Sequence, residues 1–174
     1  KLIGSQLKAH SFSFFANKNI TTGEGGMVVT NDREVYKKLK IIRNQGQKGR
    51  YNHVVLGNNY RMTDIMASIG IEQLKKINLI KNKKNLIANF YNKELSKIPQ
   101  VQVPFVPKYV TQHSWYNYSI QVDQSKRDKL VKYLEKNGVE TRLSFPPIHI
   151  QPFYAKKFKF KKNNYKNAFI AYKR

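Results

Sequence analysis

Residues 11–30 read SFSFFANKNITTGEGGMVVT. From Ala9 to Thr30 the only full charges are Lys18 and Glu24, in a chain where lysine and arginine number 33 of 174 residues. A segment that excludes charge so consistently is expected to be buried, and a lone ammonium inside it needs a reason. Residues 10–15 alternate and are aromatic, as a buried strand is. Residues 21–26 have turn chemistry, and 27–30 read as a second short strand leading to Asn31 and Asp32. Asp32 then caps a helix to about Arg43, with Val35, Leu39 and Ile42 on one face.

An amine is a nucleophile only when neutral, and burial beside another cation moves lysine toward that state. The chemistry that most wants such an amine is Schiff-base formation with an aldehyde, above all pyridoxal phosphate (PLP). Ser13 lies five positions before Lys18 and offers a hydroxyl to a phosphate from the preceding strand. Gly23, Gly25 and Gly26 allow the backbone to approach a cofactor closely. The plainer alternative is a strand-terminal lysine that snorkels to water.

The rest of the chain reads as a mixed α/β protein. Residues 45–59 are polar and contain glycine, hence loop. A helical region capped by Thr63 or Asp64 carries Ile65, Ile69, Leu74 and Ile77, and a second apolar run from Leu86 to Leu95 ends before Pro99. Pro99, Pro104 and Pro107 mark a change of character, suited to a linker or irregular edge strand. Residues 116–122 and 139–142 read as strands around a helix at 126–137. Ser125 and Asp128 form the capping pattern of that helix, and Gly138 follows its end. This places a domain division near residue 98, with residues 99–174 forming a smaller, truncated α/β lobe.

Composition limits the function. The net charge is +23 and the pI about 10.2, which raises nucleic acid as a partner. The lysines are spread along the chain and travel with abundant Asn, Ile, Tyr and Phe, the pattern of an A+T-rich genome, which argues against that reading. Its strongest local support is KKFKFKK at residues 156–162, where aromatics interleave with lysine. There are no cysteines, so disulfides and thiolate metal sites are excluded. No apolar run reaches the length of a membrane span and no signal-peptide pattern opens the chain, so the expectation is a cytoplasmic protein without a membrane partner.

The segment around Lys18 resembles the Schiff-base segment of the DegT/StrS-type nucleotide-sugar aminotransferases, PLP enzymes of the aspartate-aminotransferase fold (fold type I). The resemblance continues in order through RNQG, YNHVVLGNNYRMTDIMASIGIEQLKKI and NLIANFYNKEL. It ends in VETRLSFPPIHIQPFY, which is similar to the small-domain segment of perosamine-synthase-like members. Residues 1–98 then correspond to part of the PLP-binding large domain and 99–174 to the small domain.

The resemblance implies that Lys18 holds PLP covalently and moves the proton between cofactor and sugar carbon. It implies Ser13 as a phosphate ligand, and Asn59 as a residue reaching across a homodimer interface to the partner subunit's PLP phosphate. Arg61 assists there or contacts the nucleotide diphosphate. His53 and Tyr60 fall in the same loop, and Pro147 and His149 lie where the small domain closes over the sugar. Each residue has a plainer alternative: Ser13 as a hydroxyl bonded to backbone, Asn59 as a left-handed turn residue, His149 as a structural histidine. Gln45 stands where the family usually has histidine. The aspartate that keeps the pyridine nitrogen protonated and the other phosphate-binding backbone are expected from residues outside this sequence.

The expected activity is transfer of an amino group, from glutamate, to a nucleotide-linked keto-sugar in amino-sugar or polysaccharide biosynthesis. This chain alone is expected to lack part of the active site, and two readings stay open: an inactive fragment or a degenerate copy. The rivals are a sugar dehydratase, against which Lys18 argues directly, a basic nucleic-acid-binding protein, and a sugar-nucleotide-binding remnant without chemistry.

Overall fold

The computed structural model describes residues 5–143 and 145–174. The chain divides into two compact units, residues 1–86 with 114–116, and residues 87–113 with 117–174.

The first unit is built around a hairpin. Strand β1 (His10–Ser13) pairs antiparallel with β2 (Gly26–Val29), His10 facing Val29 and Ser13 facing Gly26. The pairing extends one step, Phe14 N–H donating to Gly25 O at 2.9 Å. The intervening loop is tied down at its base: Thr22 N–H and Thr21 Oγ1 both donate to the Phe14 carbonyl, at 2.9 and 3.2 Å. Thr22 is buried and its hydroxyl donates to Glu24 O. These bonds satisfy the backbone of a loop that lacks ladder partners.

Helix α1 (Arg33–Ile42) begins where Asp32 accepts from the backbone N–H groups of Glu34 and Val35. Those bonds hold the Asp32 carboxyl below its ordinary range. Helix α2 (Asp64–Lys75) is capped by Thr63, whose Oγ1 accepts from Met66 N–H at 3.3 Å. Helix α3 (Ile77–Leu95) follows almost directly.

The second unit takes α3 from Ile87 and adds α4 (Gln124–Lys136), α5 (Pro152–Phe158) and α6 (Lys166–Lys173). Helix α4 ends in a full Schellman motif: Gly138, at φ +76°, donates to Glu135 O and Val139 N–H to Leu134 O. Its start corrects the sequence reading. Asp123, not Ser125, is the cap, accepting from both the N–H and the hydroxyl of Ser125.

The expected strands at 116–122 and 139–142 do not form; among the described residues of this unit there is one isolated antiparallel bridge, Gln102 with Gln121. Physical reasons lie on both sides of residues 116–122. The next paired position on one side is Pro104, which has no N–H to give. On the other side Val122 N–H is taken by the Arg174 carbonyl at 3.2 Å.

The expectation of burial around Lys18 is also corrected. Phe12, Phe15, Met27 and Val28 are exposed. The same holds across the described residues: Ala88 and Trp115 are the buried apolar side chains among them, while Leu56 is 97% exposed. The solvent-accessible surface is 14745 Å², against about 8,800 Å² for a compact protein of this mass, or roughly 10,600 Å² for two compact halves. Apolar faces on this scale require a cover, and both outer edges of the two-stranded sheet are unpaired among the described residues. As an isolated chain this sequence should therefore aggregate. A cooperative thermal melt of a monomer in low salt would contradict that.

Candidate active site

Lys18 follows β1 in the bend that opens the hairpin loop, its N–H donating to Phe15 O at 2.9 Å. Ser13 is the last residue of β1, two residues short of the strand end read from the sequence, and Lys18 lies in the bend that follows. Lys18 is half-buried. Its Nζ donates to the Tyr116 hydroxyl at 3.0 Å and lies 4.2 Å from the centre of that ring. Among the described residues the amine is in no ion pair.

Ser13 is exposed, and its Oγ accepts from Phe15 N–H at 3.3 Å, which leaves its own O–H to donate. The glycines of the loop answer to the hairpin as much as to any ligand. A Cβ on Gly25 would lie 2.3 Å from Thr22 Oγ1, and one on Gly26 would lie 2.9 Å from the Phe12 carbonyl. Beside Gly23, at φ +79°, the space is open.

His53, Asn59, Tyr60 and Arg61 share one loop of the same unit. Its base is closed by bridges between Asn44 and Asn59 and between Gln47 and His53. His53 Nδ1 donates to the Gln45 carbonyl at 2.9 Å, which fixes the ring's tautomer when neutral and leaves Nε2 as an acceptor. Gln45 itself is left-handed, at φ +60°. Asn59 is not a left-handed turn residue; its Oδ1 accepts from Arg61 Nε at 3.0 Å, which orients the side-chain amide so that Nδ2 is left to donate. Tyr60 and Arg61 are exposed.

His149 belongs to the second unit. It is buried, its Nε2 donates to the Lys162 carbonyl at 3.2 Å, and its ring lies 5.1 Å from that of Tyr165. The lysine-rich tail packs its own rings together: Tyr154 stacks on Phe158, Phe158 on Phe160, and Phe160 meets Tyr165 edge-on. Those ring faces are already engaged, which leaves less platform for stacking bases. No helix among the described residues is long and apolar enough to cross a membrane.

What the site residues are already bonded to decides whether they suit PLP. Lys18 rests on a phenol rather than a carboxylate, so among the described residues no anionic partner competes for its amine. Ser13 and Asn59 each keep a donor for phosphate oxygens, and Arg61 adds a cation. An amine for an aldehyde and donors for a phosphate are the set PLP requires, and the residues fit.

The fold is part of that of the fold-type-I aminotransferases which the chain matches in structure. The chain belongs to the DegT/DnrJ/EryC1/StrS aminotransferase family, whose sequence profile matches residues 1–174. It is 40% identical over 190 residues to the uncharacterized protein MJ1066 of Methanocaldococcus jannaschii, covering 100% of this chain and 49% of that protein. It is 39% identical over 160 residues to GDP-perosamine synthase of Escherichia coli O157:H7, covering 91% of this chain and 43% of that one. Helicobacter pylori PseC, an aminotransferase involved in the biosynthesis of pseudoaminic acid, matches in structure with a TM-score of 0.86 at 29% identity, covering 97% of this chain and 47% of its own. The chain spans about half the length of the curated relatives it matches.

Tyr116 was missed by the sequence reading, which placed it at the start of a strand. Its separation of 98 residues from Lys18 left no local signal.

Proposed function

We propose that the complete protein is a PLP-dependent sugar aminotransferase that moves an amino group from glutamate to a nucleotide-linked keto-sugar, as a cytoplasmic homodimer engaged in amino-sugar or polysaccharide biosynthesis. The observation that carries this reading is Lys18: an amine at the opening of a hairpin loop, bonded to a phenol, in a chain matched by the family over its whole length. When bound, PLP supplies the aldehyde that carries the amino group and a ring that accepts electrons.

This chain's own residues contribute the following roles. Lys18 moves a proton between the donor's carbon and the cofactor in the first half of the cycle, and between the cofactor and the sugar carbon in the second. Ser13 donates its O–H to the phosphate of the same subunit's PLP. Asn59 donates from Nδ2 to the phosphate in the partner subunit, with Arg61 holding its amide and meeting the nucleotide diphosphate. His53 and Tyr60 line that loop, and His149 helps shape the small domain over the sugar. On this reading residues 1–98 are part of the large domain and residues 99–174 the small one.

The test is chemical. The complete protein is loaded with PLP, reduced with borohydride and digested, and the cofactor mass should appear on the peptide containing Lys18. In Lys18→Ala the label should vanish and transamination fall by about a hundredfold or more. A label on another lysine, or a Lys18→Ala enzyme that still turns over normally, defeats the proposal.

A further inference from the structure

We propose that Tyr116 is a positioning residue for Lys18, holding the amine where it meets the cofactor; the inference rests on the functional reading above. Two contacts act together. The phenolic oxygen accepts from Nζ at 3.0 Å, and the ring lies under the same nitrogen at 4.2 Å. A lysine side chain has many rotamers, and a hydrogen bond with a cation–π contact selects among them.

Tyr116 is itself fixed from behind. Asn19, next to Lys18, donates from Nδ2 to the Ser114 carbonyl at 2.8 Å, and Lys84 Nζ donates to the Trp115 carbonyl at 3.2 Å. Trp115 is buried and left-handed, at φ +46°. A bulky aromatic residue in that region is strained and persists only where its surroundings hold it. Residues 114–116 thus form a short strained segment held by Asn19, next to the reactive amine, and by Lys84 of α3. Its hydroxyl and its ring face are the groups that Lys18 meets.

The arrangement predicts a split between two measurements on the complete protein. Covalent capture of PLP by Lys18 depends on where the amine stands. Affinity for pyridoxamine phosphate, which carries an amine in place of the aldehyde and cannot condense with lysine, does not. Tyr116→Phe keeps the ring and removes the hydroxyl; it should slow capture about tenfold, because the amine is no longer held in place by that hydrogen bond. Tyr116→Leu, which loses both contacts, should be slower again. Pyridoxamine phosphate affinity should stay at the wild-type value in both.

If capture is unchanged in both variants, or if pyridoxamine phosphate affinity falls in step with capture, Tyr116 does not position the amine and the inference is overturned alone. If Lys18→Ala still captures PLP at the wild-type rate, the functional reading is overturned and this inference with it.

Discussion

Gly46→Ala should disable the loop carrying His53, Asn59, Tyr60 and Arg61, and cost the complete protein about 3 kcal/mol or more. Gly46 is buried and sits at φ +73°. A Cβ there would lie 1.7 Å from the Val55 carbonyl oxygen, and one on the facing Gly57 would lie 2.2 Å from Gly46 N. The two backbones touch because neither residue has a side chain. Gly46 is also the hydrogen-bonding centre of the loop: its N–H donates to Ile41 O, and its carbonyl accepts from Val54 N–H, both at 2.9 Å. An added methyl must therefore push the far side of the loop away and break those bonds. Gly49 provides the control. It too is left-handed, at φ +86°, but a Cβ there meets nothing within 4 Å, so Gly49→Ala should cost only about 1–2 kcal/mol. Urea denaturation of both variants, with pyridoxamine phosphate affinity measured alongside, separates them. Equal small shifts, with affinity intact in both, would show that the close approach does not hold the loop.

The features legible in the sequence were those set by local chemistry. Asp32 and Thr63 cap their helices because a short oxygen-bearing side chain before an amphipathic run satisfies backbone N–H groups within three residues. Gly138 closes α4 because the left-handed position favours glycine. Lys18 was found in the turn after β1 for the same reason: strand pattern, turn pattern and the odd charge are adjacent in the chain. The reading failed where distance in sequence decided the outcome. Residues 116–122 have strand composition, but a strand exists only against a partner; Pro104 has no N–H to give on one side, and on the other Val122 N–H is taken by the Arg174 carbonyl. The pairing of Lys18 with Tyr116 is invisible to any window of periodicity. The missing charge around Lys18 was read as burial within this chain. The apolar surface is instead left open, in a chain that spans about half the length of its relatives.

Mixing Lys18→Ala subunits with Asn59→Ala subunits should restore transamination to a level that neither variant reaches alone. The loop from Asn44 to Arg61 gives the reason. It presents Val54, Val55, Leu56 and Tyr60 to solvent, a contiguous apolar set of the kind that marks an interface between chains. Asn59 lies within it, its amide oriented by Arg61. If that loop docks on a second copy around a two-fold axis, Asn59 serves the site whose lysine belongs to the other subunit. In a mixed dimer, one site then carries both substitutions and the other carries neither. Random exchange makes half of the dimers mixed, so about one quarter of wild-type activity should return. The measurement is activity after subunit exchange, with native mass spectrometry confirming that mixed dimers form and each variant assayed separately for its own loss. Were Asn59 to act within its own subunit, every site in the mixed dimer would carry one lesion. Activity would then stay at the average of the two variants, and the shared site would have to be abandoned.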